Sequence, residues 1–220
     1  MFANYLKTAF RNVLRNKGFT FINVFGLAVG MACCIILFLY VQYESSFDKF
    51  HDKADQIYRV ISQDEDDGGV DRFVMTPAPL APALLQDFPE VQKAVRFAAG
   101  SLEVTHRGLR FYERVFFADS EIFNVFDFPL IKGDPQTALN DPYALLISER
   151  MADKYFQGED PVGKSLILYG DRTYNVVGVF KDIPPNSHLQ FDLLGSFQHF
   201  HRRHQTSWGV SNYLTYVLLS

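Results

Sequence analysis

Residues 158–165 read Gly-Glu-Asp-Pro-Val-Gly-Lys-Ser and satisfy G-x-x-x-x-G-K-[ST], the pattern of a loop that cradles phosphate. That chemistry needs a strand before the loop and a helix after it, so that the amides of the helix N-terminus face the anion. Here the patterns run in the opposite order: a helical stretch at 149–156 precedes, and an alternating stretch at 165–169 follows. Glu159 and Asp160 would set negative charge against phosphate, and Pro161 has no amide hydrogen to donate. No apolar strand ending in Asp follows to hold Mg²⁺. The stretch, Lys164 included, reads as a turn between a helix and a hairpin, and no cofactor is expected.

His199, His201 and His204 cluster in one short segment, with His188 upstream. A zinc site wants His at helical spacing and a further ligand. The intervening Arg202 and Arg203 would repel a cation, so the segment reads as an exposed polar loop with no metal. The acidic run from Asp64 to Gly69 lacks the spaced ligands and distal Glu of a calcium loop and reads as a solvated turn. No G-x-S-x-G occurs, and no catalytic residue is expected.

The elements that carry these residues divide by charge. Residues 1–43 hold Lys7, Arg11, Arg15 and Lys17 and no acid, a formal charge of +4; residues 44–220 hold 17 basic and 25 acidic residues, a formal charge of −8. The acidic larger part argues against nucleic-acid binding. Between Gly18 and Tyr43 there are 26 residues without a charge. As a helix they would extend about 39 Å, against a hydrocarbon core of about 30 Å. The apolar run is too long for a cleaved signal peptide and carries no small-residue cleavage site, so it reads as an uncleaved membrane anchor. Lys7, Arg11 and Arg15 recur every four residues, which predicts a basic helical face on the membrane surface. Residues 1–17 are therefore expected as a cytoplasmic amphipathic helix and 18–43 as the transmembrane helix, with 44–220 extracytoplasmic by the positive-inside rule. Gly26 and Gly30 form G-x-x-x-G, which lets membrane helices approach closely and marks an expected packing face.

Beyond Glu44 the patterns are mixed. Residues 56–63 and 70–75 alternate around the acidic turn and predict a hairpin; residues 80–87 predict a short helix stopped at Phe88-Pro89. Strands are expected at 93–98, 101–106, 109–112, 113–118, 144–147, 191–194 and 213–219. Asp119 or Ser120 would cap a helix reaching Phe126, and Ser148 one reaching Phe156. Residues 165–169 and 173–180 flank Gly170-Asp171 as a second hairpin. The sum is an α+β extracytoplasmic domain of two lobes on one N-terminal transmembrane helix.

The order of short motifs resembles the N-terminal part of a MacB/FtsX-like ABC transporter permease with its MacB-like periplasmic core domain. The motifs are Phe10-Arg-Asn-Val-Leu-Arg-Asn-Lys17, Ser46-Phe-Asp-Lys-Phe-His51, Ala54-Asp-Gln-Ile-Tyr-Arg-Val60, Thr76-Pro-Ala-Pro-Leu80 and Phe88-Pro-Glu-Val91. They continue with Phe123-Asn-Val-Phe-Asp-Phe-Pro-Leu130, Gly133-Asp134, Ser148-Glu-Arg-Met-Ala-Asp-Lys-Tyr-Phe156, Asp160-Pro-Val-Gly-Lys164, Val177-Gly-Val179 and Pro185-Asn-Ser-His188.

The resemblance implies a bacterial inner-membrane permease that pairs with a second copy or a related permease and works with a cytoplasmic ABC ATPase. ATP hydrolysis inside would drive movements of the extracytoplasmic domain, for export or mechanotransmission. Membrane lipid, a periplasmic adaptor and an outer-membrane channel are the other implied partners. With one membrane helix and an end inside an apparent strand, the chain reads as a truncated permease whose core domain is C-terminally incomplete. The competing reading is a single-span extracytoplasmic sensor or ligand-binding module.

Overall fold

The computed structural model describes residues 2–66, 69–200 and 205–220. It divides into two compact units, Met1–Phe47 and Asp48–Ser220. The first unit holds two helices, α1 (Phe2–Arg15) and α2 (Lys17–Glu44), which meet at Asn16. Lys17 thus opens the long helix and does not end the short one. The Thr20 hydroxyl donates across this break to the Val13 carbonyl at 3.2 Å. None of the α2 residues is buried, and its most apolar stretch has a mean hydropathy of 2.6. Gly, Val, Ile and Thr are poor helix formers in water. In hydrocarbon the helix is favoured because it satisfies every backbone N–H and C=O within one segment.

The second unit is α+β. Its N-terminal strands are β1 (Ile57–Val60), β2 (Ser62–Asp66), β3 (Gly69–Phe73) and β4 (Thr76–Pro77), followed by α3 (Leu80–Asp87). Two long strands follow, β5 (Val91–His106) and β6 (Leu109–Ala118), then α4 (Ile122–Val125) and β7 (Leu130–Lys132). The rest is β8 (Ala144–Ser148), α5 (Glu149–Phe156), β9 (Ser165–Leu168), β10 (Arg172–Phe180), β11 (Leu193–Ser196) and β12 (Ser211–Leu219). The four strands expected between 93 and 118 are two uninterrupted ones, paired antiparallel from Phe97↔Ala118 to His106↔Leu109. Arg107 and Gly108, both at positive φ, make the tight turn between them.

The strands lie in the order β1-β12-β5-β6-β11-β8-β10-β7, and β9 pairs with both β10 and β5. Strands β5, β6, β11, β8, β10 and β9 therefore close a hydrogen-bonded circuit. Alternation then sorts side chains into two cores. Val104, Phe117, Leu145, Ile147, Leu166, Tyr174 and Leu193 share one, with Met151, Tyr155 and Phe156 of α5. Phe97, Leu146, Phe180, Leu194 and Tyr216 share the other, with Ile122, Val125, Phe126 and Phe128. The two lobes thus have a core each and share strands, with Leu145 and Leu146 turned to opposite faces.

Local signals place the shorter elements. Ser148 caps α5, its hydroxyl accepting from the Met151 amide at 3.3 Å. Asp119, one of the two expected caps, does not cap α4; the carboxylate instead takes three hydrogen bonds from Arg96, two of them from the guanidinium. That helix is only four residues long: a turn at Ser120 and Glu121 leads into it, closed by the Ile122 amide on the Asp119 carbonyl at 3.1 Å, and Phe126 is already extended. Strand β11 lies two residues later than expected, where Leu193 and Leu194 face opposite cores.

Candidate functional site at the start of the second unit

Three residues, 45–47, separate Glu44 at the end of α2 from Asp48. Asp48 has φ of 57°, in the left-handed region that a short acceptor side chain tolerates better than most. Four hydrogen bonds hold it there. Its amide donates to the Asn186 carbonyl at 2.9 Å. Its Oδ1 accepts from the Ser187 hydroxyl at 3.0 Å and the His188 amide at 3.1 Å. Its Oδ2 lies 2.7 Å from His188 Nδ1.

The contact continues inward. His188 Nε2 is 2.8 Å from the Tyr216 hydroxyl, and Tyr216 in turn hydrogen-bonds Arg59. One assignment of protons satisfies all the groups. Arg59 donates to the Tyr216 oxygen, Tyr216 donates to His188 Nε2, and His188 donates from Nδ1 to Asp48. Tyr216 is buried and packs edge-on against Phe97 and Phe126. Burial pushes its phenol up to about 12, so the hydroxyl keeps its proton. The set has the look of a polarised His, but its hydroxyl is locked in a core and is no nucleophile. It is a clasp.

A second fastening follows at once. His51 is 3% exposed, and its Nδ1 accepts from the Asp127 amide at 2.9 Å. The Asp52 amide donates to Asp127 Oδ2 at 2.7 Å, and Lys53 Nζ reaches the Asn124 carbonyl at 2.9 Å. His51 Nε2, which must carry the proton in this tautomer, has no hydrogen-bond partner. The rings of Phe126 and Phe128 stand nearly perpendicular to it at 5.2 and 5.3 Å. Desolvation lowers the His51 pKa, and Asp127 and Asp48 offset only part of that. A cleft of about 370 Å³ opens beside the clasp, lined in part by Asp48, His51, Ile57, Arg59, His188 and Tyr216.

The other sequence-selected residues fall elsewhere. The Gly158–Ser165 stretch follows α5 and precedes β9, the helix-then-strand order read from the sequence. Lys164 is ion-paired with Glu159, and the amides of Gly163, Lys164 and Val162 bond to Val176, Pro161 and Asp160 within the loop and its neighbour strand. These amides do not converge on an anion. His199 does not lie on an exposed loop: it is half-buried in a 3-10 turn, stacked on Tyr169 at 5.6 Å and Phe117 at 5.4 Å. Both its ring nitrogens are engaged, by Arg172 at 2.7 Å and Tyr174 at 2.6 Å. His201 and His204 lie outside the described residues. Among the described residues no three His, Cys, Asp or Glu side chains gather as a metal site. Gly26 and Gly30 lie four apart in α2, on one face, and a Cβ at either would meet nothing within 4 Å. Lys7, Arg11 and Arg15 are exposed on α1, and Lys17 is exposed at the start of α2.

Sequence reasoning passed over the polar partners in the α+β unit. Asp48 and His188 stood inside two motifs, but nothing local says that these meet. Asp192 is similar: it is almost buried, accepts from Arg114 at 3.1 Å, and is also paired with Arg150. Burial pushes its pKa up, but the two guanidinium groups outweigh this and hold it below the ordinary carboxylate value.

The MacB-like periplasmic core domain is the family whose pattern matches this chain, over residues 20–220. No curated protein sequence matches it significantly. Among solved structures, a domain of a protein described as a permease from Porphyromonas gingivalis aligns with a TM-score of 0.67 at 27% identity, covering 77% of this chain and 75% of its own. The periplasmic region of MacB from Actinobacillus actinomycetemcomitans aligns at 0.56 with 14% identity, covering 80% and 77%. The extracellular domain of the noncanonic ABC-type transporter YknZ from Gram-positive bacteria aligns at 0.54 with 19% identity, covering 74% and 83%. The last two likenesses speak to the fold, and the match over residues 20–220 speaks to the family. With an apolar helix followed directly by a clasped α+β unit whose strands align with these domains, the chain belongs to the MacB-like periplasmic core domain family.

Proposed function

We propose that this chain is part of the permease subunit of an ABC transporter, in which a partner ATPase in the cytoplasm moves the extracytoplasmic α+β domain. The observation that carries this reading is the continuity at the clasp. The chain leaves an apolar helix and within four residues is fixed to the domain by Asp48. A loosely tethered binding module has no need of such a joint. The basic residues Lys7, Arg11, Arg15 and Lys17 support a cytoplasmic N-terminus in a bacterial inner membrane. A bare apolar helix with Gly26 and Gly30 on one face supports packing against further membrane helices, of a second copy or of a paired permease. The work proposed is mechanical transmission that serves export, with an adaptor or outer-membrane channel as the external partner.

The test is co-purification and topology together. The intact permease, with Cys33 and Cys34 replaced by Ala, should co-purify with the ATPase encoded beside it. A cysteine introduced at Gly170 should react with an impermeant thiol reagent in cells whose outer membrane has been permeabilised, and one at Asn4 only after lysis. Labelling in the reverse pattern, or a permease that never retains an ATPase, rejects the reading. A cytoplasmic kinase found in the ATPase's place would support the single-span sensor instead.

A further inference from the structure

The clasp has a mechanical consequence that depends on how much chain it leaves free. With Asp48 fixed, the tether from Glu44 spans four residue steps, about 14 Å when fully extended. Without the two fastenings the next ordered strand begins at Ile57, thirteen steps away, and the tether could reach about 45 Å. A helix-end movement of a few ångströms is lost in the longer tether and delivered through the shorter one. The fastenings also choose where the movement arrives. Asp48 grips residues 186–188 and, through His188, the buried hydroxyl of Tyr216 in β12. His51, Asp52 and Lys53 grip residues 124–127. Both routes end in the same core, in which Phe126, Phe97 and Tyr216 pack on one another.

We infer that the Asp48–His188–Tyr216 clasp is the joint through which displacement of the membrane helix enters the α+β domain, and that Asp48 is its positioning residue. Asp48 suits the task because its carboxylate is the hub of three side-chain hydrogen bonds while its backbone holds a left-handed turn. Replacement by Ala removes the hub and is unfavourable in that turn. Asn keeps one acceptor and tolerates the turn, but loses the charge that faces His188.

This inference rests on the permease reading above, and the experiment separates the two. The intact permease with its partner ATPase is placed in lipid nanodiscs, in the background lacking Cys33 and Cys34. A spin label at Gly170→Cys reports the distance between the domains of the two copies, with no nucleotide and with ATP plus vanadate. In the parent the distance distribution should shift between the two states; no shift in the parent overturns the permease reading itself. In Asp48→Ala the shift should be lost while the rate of ATP hydrolysis stays at the parent level. In Asp48→Asn it should be reduced, with hydrogen-exchange protection of β12 as in the parent. A parent-sized shift in Asp48→Ala overturns the inference. If Asp48→Ala loses β12 protection, Asp48→Asn decides, and a parent-sized shift there overturns it equally.

Discussion

Asp48 and His188 are 140 residues apart in the chain and joined by a 2.7 Å contact from Oδ2 to Nδ1. The carboxylate also takes the His188 amide, so one side chain holds both the ring and the backbone of its partner. Both side chains are about one-third exposed, and with Tyr216 donating to His188 Nε2 the contact is a hydrogen bond from a neutral ring and not an ion pair. The hydrogen bonds then carry most of the value. Asp48→Ala should lower unfolding stability by about 2 kcal/mol and Asp48→Asn by about 1 kcal/mol. Urea unfolding of the full chain in detergent, followed by tryptophan emission from Trp208, measures both. Equal losses in the two variants would mean that the left-handed turn and the remaining acceptor contribute nothing.

Gly195 makes room for Phe117. The two residues are register partners in β11 and β6, and a Cβ on Gly195 would come within 2.6 Å of the Phe117 ring. That ring is hemmed in by Tyr169, His199 and Phe200 and has little freedom to move. Gly195→Ala should cost about 1–3 kcal/mol by overpacking. Combining it with Phe117→Leu should cost less than the two changes summed, because the smaller side chain vacates the contested space. Strict additivity in the double-mutant cycle would show that the clash is relieved elsewhere.

His51 predicts a pH dependence with a definite sign. Its folded pKa lies below the ordinary value of 6.5, since burial disfavours the charged ring. The unfolded chain therefore takes up a proton first as pH falls. The stabilisation is complete above pH 6.5 and declines from there down to the lowered folded value. His106 and His199 are shifted the same way, so the parent curve is a composite. The difference between the parent and His51→Gln isolates the one group. Stability of the parent should fall relative to that of His51→Gln as pH drops from 7 to 5. Parallel curves would show that His51 titrates alike in both states.

Gly26 and Gly30 are expected to matter only where α2 meets another helix. Gly26→Ile or Gly30→Ile should leave membrane insertion unchanged, because a larger apolar side chain suits lipid as well or better. Either should weaken assembly of the intact permease, since a branched side chain would part backbones that otherwise touch. Ile36→Leu and Leu39→Ile serve as controls of similar chemistry on the same helix. Cross-linking yield in native membranes reads the result. Parent-level yield in both glycine variants would rule out this face as a contact.

The membrane helix, the capped helix α5 and the hairpin turn at Gly170 were legible because each rests on neighbours in the chain; the other expected hairpin was misplaced, since residues 64–66 and Gly69, read as a turn, pair as strand, and Ile57–Val60 joins β12 instead. Twenty-six uncharged residues, a Ser before Glu149, and Gly170 after Tyr169 act over one or two turns of backbone. The phosphate-loop match at Gly158–Ser165 could be set aside for the same reason, since the order of helix and strand is also local. The motif order even placed Asp48 and His188 inside segments worth noting. What the sequence could not disclose was that these segments meet. That contact exists because β12 lies between β1 and β5, bringing Tyr216 beside Arg59 and beneath His188. The same holds for Asp119, which sequence assigned to a helix cap and the strand pairing assigned to Arg96. An acceptor near a helix start bonds to whichever donor is placed best, and tertiary structure placed a guanidinium there. His199 likewise left its expected exposed loop, because the stack of Phe117 and Tyr169 buries a ring whose nitrogens Arg172 and Tyr174 can satisfy.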